Sequence, residues 1–318
     1  MICSRRAPAL ALAVLLSATT TGCIRRVLLD GQVSGTRRGA NALDTIQDFE
    51  VAKASGWAGL GTLEGLYKLA PDNRDGLYLL AKGWAGATTA FTEDEYELAE
   101  EARDDALAAY HRARMVAGFQ RAGFFATKLL DAKAPGFEAA RRNTAVLRAW
   151  LRENFVEKKD AQDLTVAATA FIGLVAAGSE NPAIASELFV AVAIAERAVQ
   201  LDETAEHSMA HVVLGGYHAR YSWAELDEAK QHFDAALRIT EGRNLLAKLF
   251  YATRYFCMKS DEAAYVRTLR QIVSARDPMP EMRLTNLIAM RRARRYLDNK
   301  IFQEDCGFGS GSSRRANE

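Results

Sequence analysis

Two helix endings in the second half of the chain lie 38 residues apart, and that spacing constrains the fold more than any other feature. One reads Arg197-Ala198-Val199-Gln200-Leu201-Asp202 and the other Asp234-Ala235-Ala236-Leu237-Arg238-Ile239. Each closes a run with apolar residues at helical spacing, Ile184 to Leu201 and Ala224 to Ile239. His207 to Tyr221 lies between them with the same period. After them come Leu245 to Met258, Asp261 to Arg276 with a stop at Asp277-Pro278, and a last run from Met282 to Asp298. Helix pairs recurring at about 34–40 residues cannot bury their apolar faces one pair at a time, so they stack. Alanines such as Ala198 and Ala236 let stacked helices approach closely.

The first half carries the same period less regularly. From Ala42 onward the pattern is helical, with a stop at Leu69-Ala70-Pro71-Asp72-Asn73 where proline ends one helix and a polar cap starts the next. Leu77, Leu80, Ala81, Trp84, Thr88 and Phe91 share one helical face. A long charged helix is expected from Glu93 through Tyr110-His111-Arg112-Ala113-Arg114, broken at Pro135-Gly136. Leu164 to Ala177 is almost wholly apolar and ends at Gly178-Ser179-Glu180-Asn181-Pro182. Only six prolines interrupt the chain, in keeping with helix throughout. The expected fold is all-α, an irregular tetratricopeptide-like array of helical hairpins (an α-solenoid or bundle) over residues 43–300, with a disordered tail at 301–318 that is rich in glycine and serine from Gly307.

The first residues differ from the rest. Arg5 and Arg6 precede a short apolar segment, Ala7 to Leu16, and then small polar residues up to Gly22-Cys23. That is a secretory signal, too short for a stable membrane span. Gly22-Cys23 resembles the lipobox of lipoproteins, although Thr20 stands where an aliphatic residue is usual. Residues 1–22 are expected to be a signal peptide and Cys23 the site of lipid attachment. Residues 23–42 then form a tether with one short ordered piece, reaching on the order of 25 Å if flexible. The expected location is the bacterial periplasm, at a membrane surface, and Ile24 after the cysteine favours the outer one. No later stretch reads as long and apolar enough to cross a bilayer.

With Cys3 in the leader and Cys23 lipidated, Cys257 and Cys306 remain. Two cysteines make no disulfide framework. Cys257 reads as a small buried hydrophobe in a helix, Cys306 lies beside the tail, and pairing between them stays open. The formal charge of the whole chain is +1. A near-neutral chain lacks the clustered basic surface that phosphate binding needs, so no nucleic acid is expected as a partner.

One family resemblance runs over about 250 residues, from Asp44 to Leu297. Its landmarks are Leu63-Glu64-Gly65-Leu66 leading to Ala70-Pro71-Asp72-Asn73, Ala109-Tyr110-His111-Arg112-Ala113, the endings at 197–203 and 232–237, and Leu284-Thr285-Asn286-Leu287-Ile288-Ala289-Met290-Arg291-Arg292-Ala293-Arg294. In order and spacing these resemble the T component associated with tripartite ATP-independent periplasmic (TRAP) transporters. The sequence departs from the family after Tyr221, where Ser222-Trp223-Ala224-Glu225 replaces a glycine-containing turn. The resemblance implies a lipoprotein adaptor that docks the solute-binding protein of a TRAP system. It also implies a homo-oligomer, a trimer in form, with a groove or pore for an apolar small molecule.

Candidate chemistry is sparse. His207, His211 and His218 fall on one helical face, with Glu203 one turn before them. Three imidazoles suit zinc, but the His-Glu-x-x-His order is absent and His218 lies two turns beyond His211. The row is read as packing, with metal the weaker alternative and no cofactor assigned. Tyr217, Tyr221 and Trp223 follow at the end of the same helix and, with His211 and His218, are the candidate groove or partner contacts. Gly59-Leu60-Gly61 and Gly65 follow no strand and do not cradle phosphate. Glu93-Asp94-Glu95 and Glu100-Glu101 read as solvated faces, and Arg291, Arg292, Arg294 and Arg295 as cations suited to a helix end. No catalytic set is present, so the chain is read as a non-enzyme. The competing readings are a general envelope tetratricopeptide scaffold and a zinc protein.

Overall fold

Amides at a helix start have no partner inside the helix, and short polar side chains supply one. That rule sets many boundaries here. The computed structural model describes residues 28–220 and 225–308, so the leader, Cys23, Tyr221, Trp223 and the tail beyond 308 lie outside the described residues. Helix α1 covers 28–39 and a 3-10 turn follows at Ala40–Thr45. Asp48 caps α2 (Phe49–Leu69), accepting from the amides of Glu50 and Val51. Asn73 caps α3 (Arg74–Ala87), which runs through a π turn at Thr88–Thr92 into α4 (Glu93–Glu101). Asp104 caps α5 (Asp105–Lys133); α6 (Phe137–Ala140) and α7 (Thr144–Asn154, capped by Asn143) follow. Next are α8 (Asp160–Ala177), α9 (Pro182–Ala185) and α10 (Leu188–Leu201). A turn at Ala205–Ser208 leads to α11 (Met209–His218), and α12 is Leu226–Ile239. Asn244 caps α13 (Leu245–Phe250), which widens into a π turn at Tyr251–Phe256. Asp261 caps α14 (Glu262–Ser274), a 3-10 turn at Pro280–Met282 leads to α15 (Arg283–Asp298), and α16 is Ile301–Glu304.

Helix accounts for 81% of the structure and no strand occurs among the described residues, so the array is all-α as expected. Long helices pack mainly on neighbours in sequence: α2 on α3, α3 on α5, α5 on α8, α8 on α10, α10 on α11, α11 on α12 and α14 on α15. This is the stacking that the period demands. Phe125, Phe137 and Phe155 in the main core have no exposed surface, and each such burial contributes roughly 1.5–3 kcal/mol. Separate apolar clusters lie under α13–α15 and between α11 and α12. Gly173 on α8 faces the Phe119 ring of α5, and a Cβ there would overlap it. Close approach therefore fixes the spacing of these two central helices.

The structure changes several details. By length and composition α8 is able to cross a bilayer, contrary to the reading from sequence, yet 67% of it is buried inside the protein. It is the middle helix of the stack, apolar all round because protein covers it. The charged run does not begin a new helix at Glu93, since α3, the π turn and α4 are continuous, and the break falls at 102–104. Arg103 turns left-handed there (φ 54°) and Asp104 caps the next helix, so the stop needs neither glycine nor proline. Inside the stretch read as tether, α1 buries Val33 and pairs Arg37 with Asp75 at 2.7 Å, which shortens the leash. Ordered structure continues to 308, with Phe308 packed edge-on against Tyr265. Cys257 is not a free small hydrophobe: it is disulfide-bonded to Cys306, with Cα atoms 4.9 Å apart, because α16 folds back on the end of the second π turn.

Candidate functional site

Two candidate contact residues sit at the outer end of the α11–α12 hairpin. Tyr217 meets the His218 ring edge-on at 4.9 Å, and the Arg220 guanidinium lies 3.8 Å above the Tyr217 ring. Nδ1 of His218 is 2.6 Å from a Glu225 carboxylate oxygen. The third, His211, is buried. His211 and His218 do come together, but through a residue that the sequence reading missed: His232 on α12. Its ring stacks on His218 at 5.5 Å, and its Nδ1 is 2.9 Å from Nδ1 of His211. Glu203 closes the row at 3.3 Å from Nε2 of His211. Burial first, and then each neighbouring imidazole, lowers the pKa of His232 to about 4; burial also lowers that of His211.

His207 stands apart from this row. Helix α11 starts only at Met209, and Glu206, His207 and Ser208 are all left-handed (φ 48°, 55° and 64°). Each such residue costs roughly 1–2 kcal/mol, and conformations of this kind persist where the surroundings enforce them. Here the Asn244 side chain donates to the His207 carbonyl at 3.2 Å. Asn286 on α15 in turn accepts from the Leu245 amide at 2.9 Å and donates to the Arg243 carbonyl at 3.1 Å. The turn aims Glu206 at α3, where Tyr78 donates to it at 2.5 Å and Lys82 pairs with it at 2.9 Å. Burial works to raise the Glu206 pKa, but Lys82 and the Tyr78 hydroxyl outweigh it and hold the carboxyl below the usual range. Nearby Asp44 is pushed upward by burial.

The acidic run read as a solvated face and the basic run read as helix-end cations meet each other, with Asp94, Arg292 and Arg295 buried in the contact. Glu93, Asp94 and Glu97 have offsets 0, 1 and 4, and so do Arg291, Arg292 and Arg295. Helix α15 returns to α4 and the two rows meet. Arg295 bonds Asp94 and Glu97, each at 2.5 Å. Arg292 bonds Glu97 at 2.5 Å and Glu93 at 3.0 Å, and Arg291 reaches Asp94 at 3.0 Å. Tyr296 donates to Glu97. Burial pushes the Glu93 carboxyl above its usual range despite the pull of Arg292. Matched 0, 1, 4 spacing of opposite charges was the available signal. A distance of some 200 residues hid it.

Among the described residues no group of three or more histidine, cysteine, aspartate or glutamate side chains is placed to hold a metal ion. The hairpin end offers aromatic and cationic groups beside a row of imidazoles, and the α4–α15 seam is an ionic closure. A family model described as TRAP transporter T-component matches residues 45–302. No curated protein matches the chain.

Proposed function

From its membership of the TRAP transporter T-component family, to which the chain belongs, we propose that this protein is an adaptor that docks the solute-binding protein of a TRAP system. Membership supports a role in TRAP transport and an envelope location. The family match over 45–302, on an all-α stack of amphipathic hairpins, is the observation that carries the reading. Stacked hairpins present extended faces made for partners rather than a catalytic cleft. Lipid on Cys23 confines the adaptor to a membrane and raises its effective concentration near other envelope components. Tyr217 and His218 supply amphipathic contact groups of the kind that anchor interfaces, and Tyr221 and Trp223, which follow in sequence, are proposed as further contacts. An apolar small molecule occupies the groove or pore of a homotrimer.

Capture with the lipidated protein from envelope extract, followed by identification of what co-purifies, tests this. The expected product is a TRAP-type solute-binding protein. Recovery of envelope assembly factors with no solute-binding protein would replace the adaptor by a general scaffold.

A further inference from the structure

We propose that Glu203, His211, His232, His218 and Glu225 form a proton-operated latch, which holds the α11–α12 hairpin closed while its rings are neutral and releases it when two of them are charged. The inference rests on the geometry of the row and is independent of any transport role. Two Nδ1 atoms 2.9 Å apart require one N–H donor and one lone pair, so the pair cannot carry a proton on both facing atoms. With neutral rings every contact is made: His211 gives its Nε2–H to Glu203 and accepts at Nδ1 from His232, and His218 gives its Nδ1–H to Glu225. One added proton is tolerated, since His211 can donate from both nitrogens once His232 moves its own proton to Nε2. A second, on His232, places two N–H groups and two charges face to face. The His218 ring, stacked at 5.5 Å with an interplanar angle of 12°, adds a third imidazole to the same stack.

The charged groups facing the row are Glu203 from the α10–α11 connection, Glu225 from the residue before α12, and Arg238 on α12. Both carboxylates are solvent-exposed; Glu203 favours a proton on His211 and Arg238 opposes it. From the π turn packed on α12, Tyr251 gives its hydroxyl to Asp234, at 3.1 Å. His232 titrates at about 4 in the fold, against about 6.5 for a free histidine. The fold therefore favours the neutral ring. That stability is complete above the unfolded pKa and is lost as pH falls from about 6.5 towards 4.

Native-state hydrogen exchange at pH 7 and pH 5, corrected for the intrinsic rate, reads the latch directly. In the wild-type chain, opening within 209–239 rises at least about tenfold on acidification, the local response of two suppressed titrations, while α5 does not respond. His232→Asn keeps a polar group near the position of Nδ1 and removes one of the two titrations, so its hairpin responds clearly less than the wild type to this change. An equal acid response in His232→Asn and wild type overturns the proposal. Imidazole NMR of the wild-type protein decides independently if the variant does not fold. A His232 midpoint well below 6 supports the latch, and three separate titrations near 6.5 contradict it.

Discussion

Arg295→Ala is expected to destabilise the protein by about 3 kcal/mol, the cost of removing the one guanidinium that bridges two buried carboxylates and leaving each with a single arginine partner. Asp94 and Glu97 have side chains only 5% and 6% exposed, so solvent cannot take over from the lost guanidinium. The effect should appear as a fall in melting temperature of roughly 10 °C and as a lower urea midpoint. Replacing the three charges together, Arg295→Met with Asp94→Leu and Glu97→Leu, is expected to cost less than the single change, because the buried carboxylates leave with their arginine, Arg292 keeps Glu93, and Arg291 reaches solvent. Lys230→Ala, which breaks an exposed i,i+4 pair with Asp234, serves as control and should stay within about 0.5 kcal/mol. An Arg295→Ala variant with unchanged melting would show that the α4–α15 seam does not hold the array closed.

Removing the disulfide is the second large effect. Cys257 and Cys306 are 49 residues apart, and a closed loop of that length removes about 4 kcal/mol of unfolded-state chain entropy. Cys306→Ser is expected to lose up to that amount, with the loss confined to α14–α16, whose cluster includes Tyr265, Leu269, Tyr296 and Phe308. Alkylation mass spectrometry of the oxidised chain should find both thiols protected. If Cys306→Ser melts as the wild type does, or if the thiols label freely without reductant, the crosslink contributes nothing.

The stacked architecture was readable because it is written locally. The endings at Leu201 and Ile239 fall where the 38-residue period puts them, and Asn244 and Asp261 announce helix starts as capping residues do. What could not be read was long-range or against type. Arg103 and residues 206–208 adopt left-handed backbone without glycine, so no residue type marked those breaks. Within α4 alone Asp94 looks solvated, and within α15 alone Arg295 looks like a helix-end cation, since a period says which residues share a face and nothing about what covers it. His211 and His218 were visible as a row on α11. His232 was not, because it arrives from the next helix.

These observations describe an array closed twice, by the ionic seam between α4 and α15 and by the crosslink at its C-terminal end, with a hairpin edge carrying Tyr217, His218 and Arg220. Such a body keeps its shape while presenting that edge to a partner. Solution binding between this protein and a TRAP-type solute-binding protein of the same organism is the direct test. A saturable complex at micromolar Kd or tighter, weakened at least about tenfold by Tyr217→Ala as for an interface anchor, is the expected result. No binding at about 100 μM, well above the micromolar range of specific interfaces, would contradict the adaptor assignment.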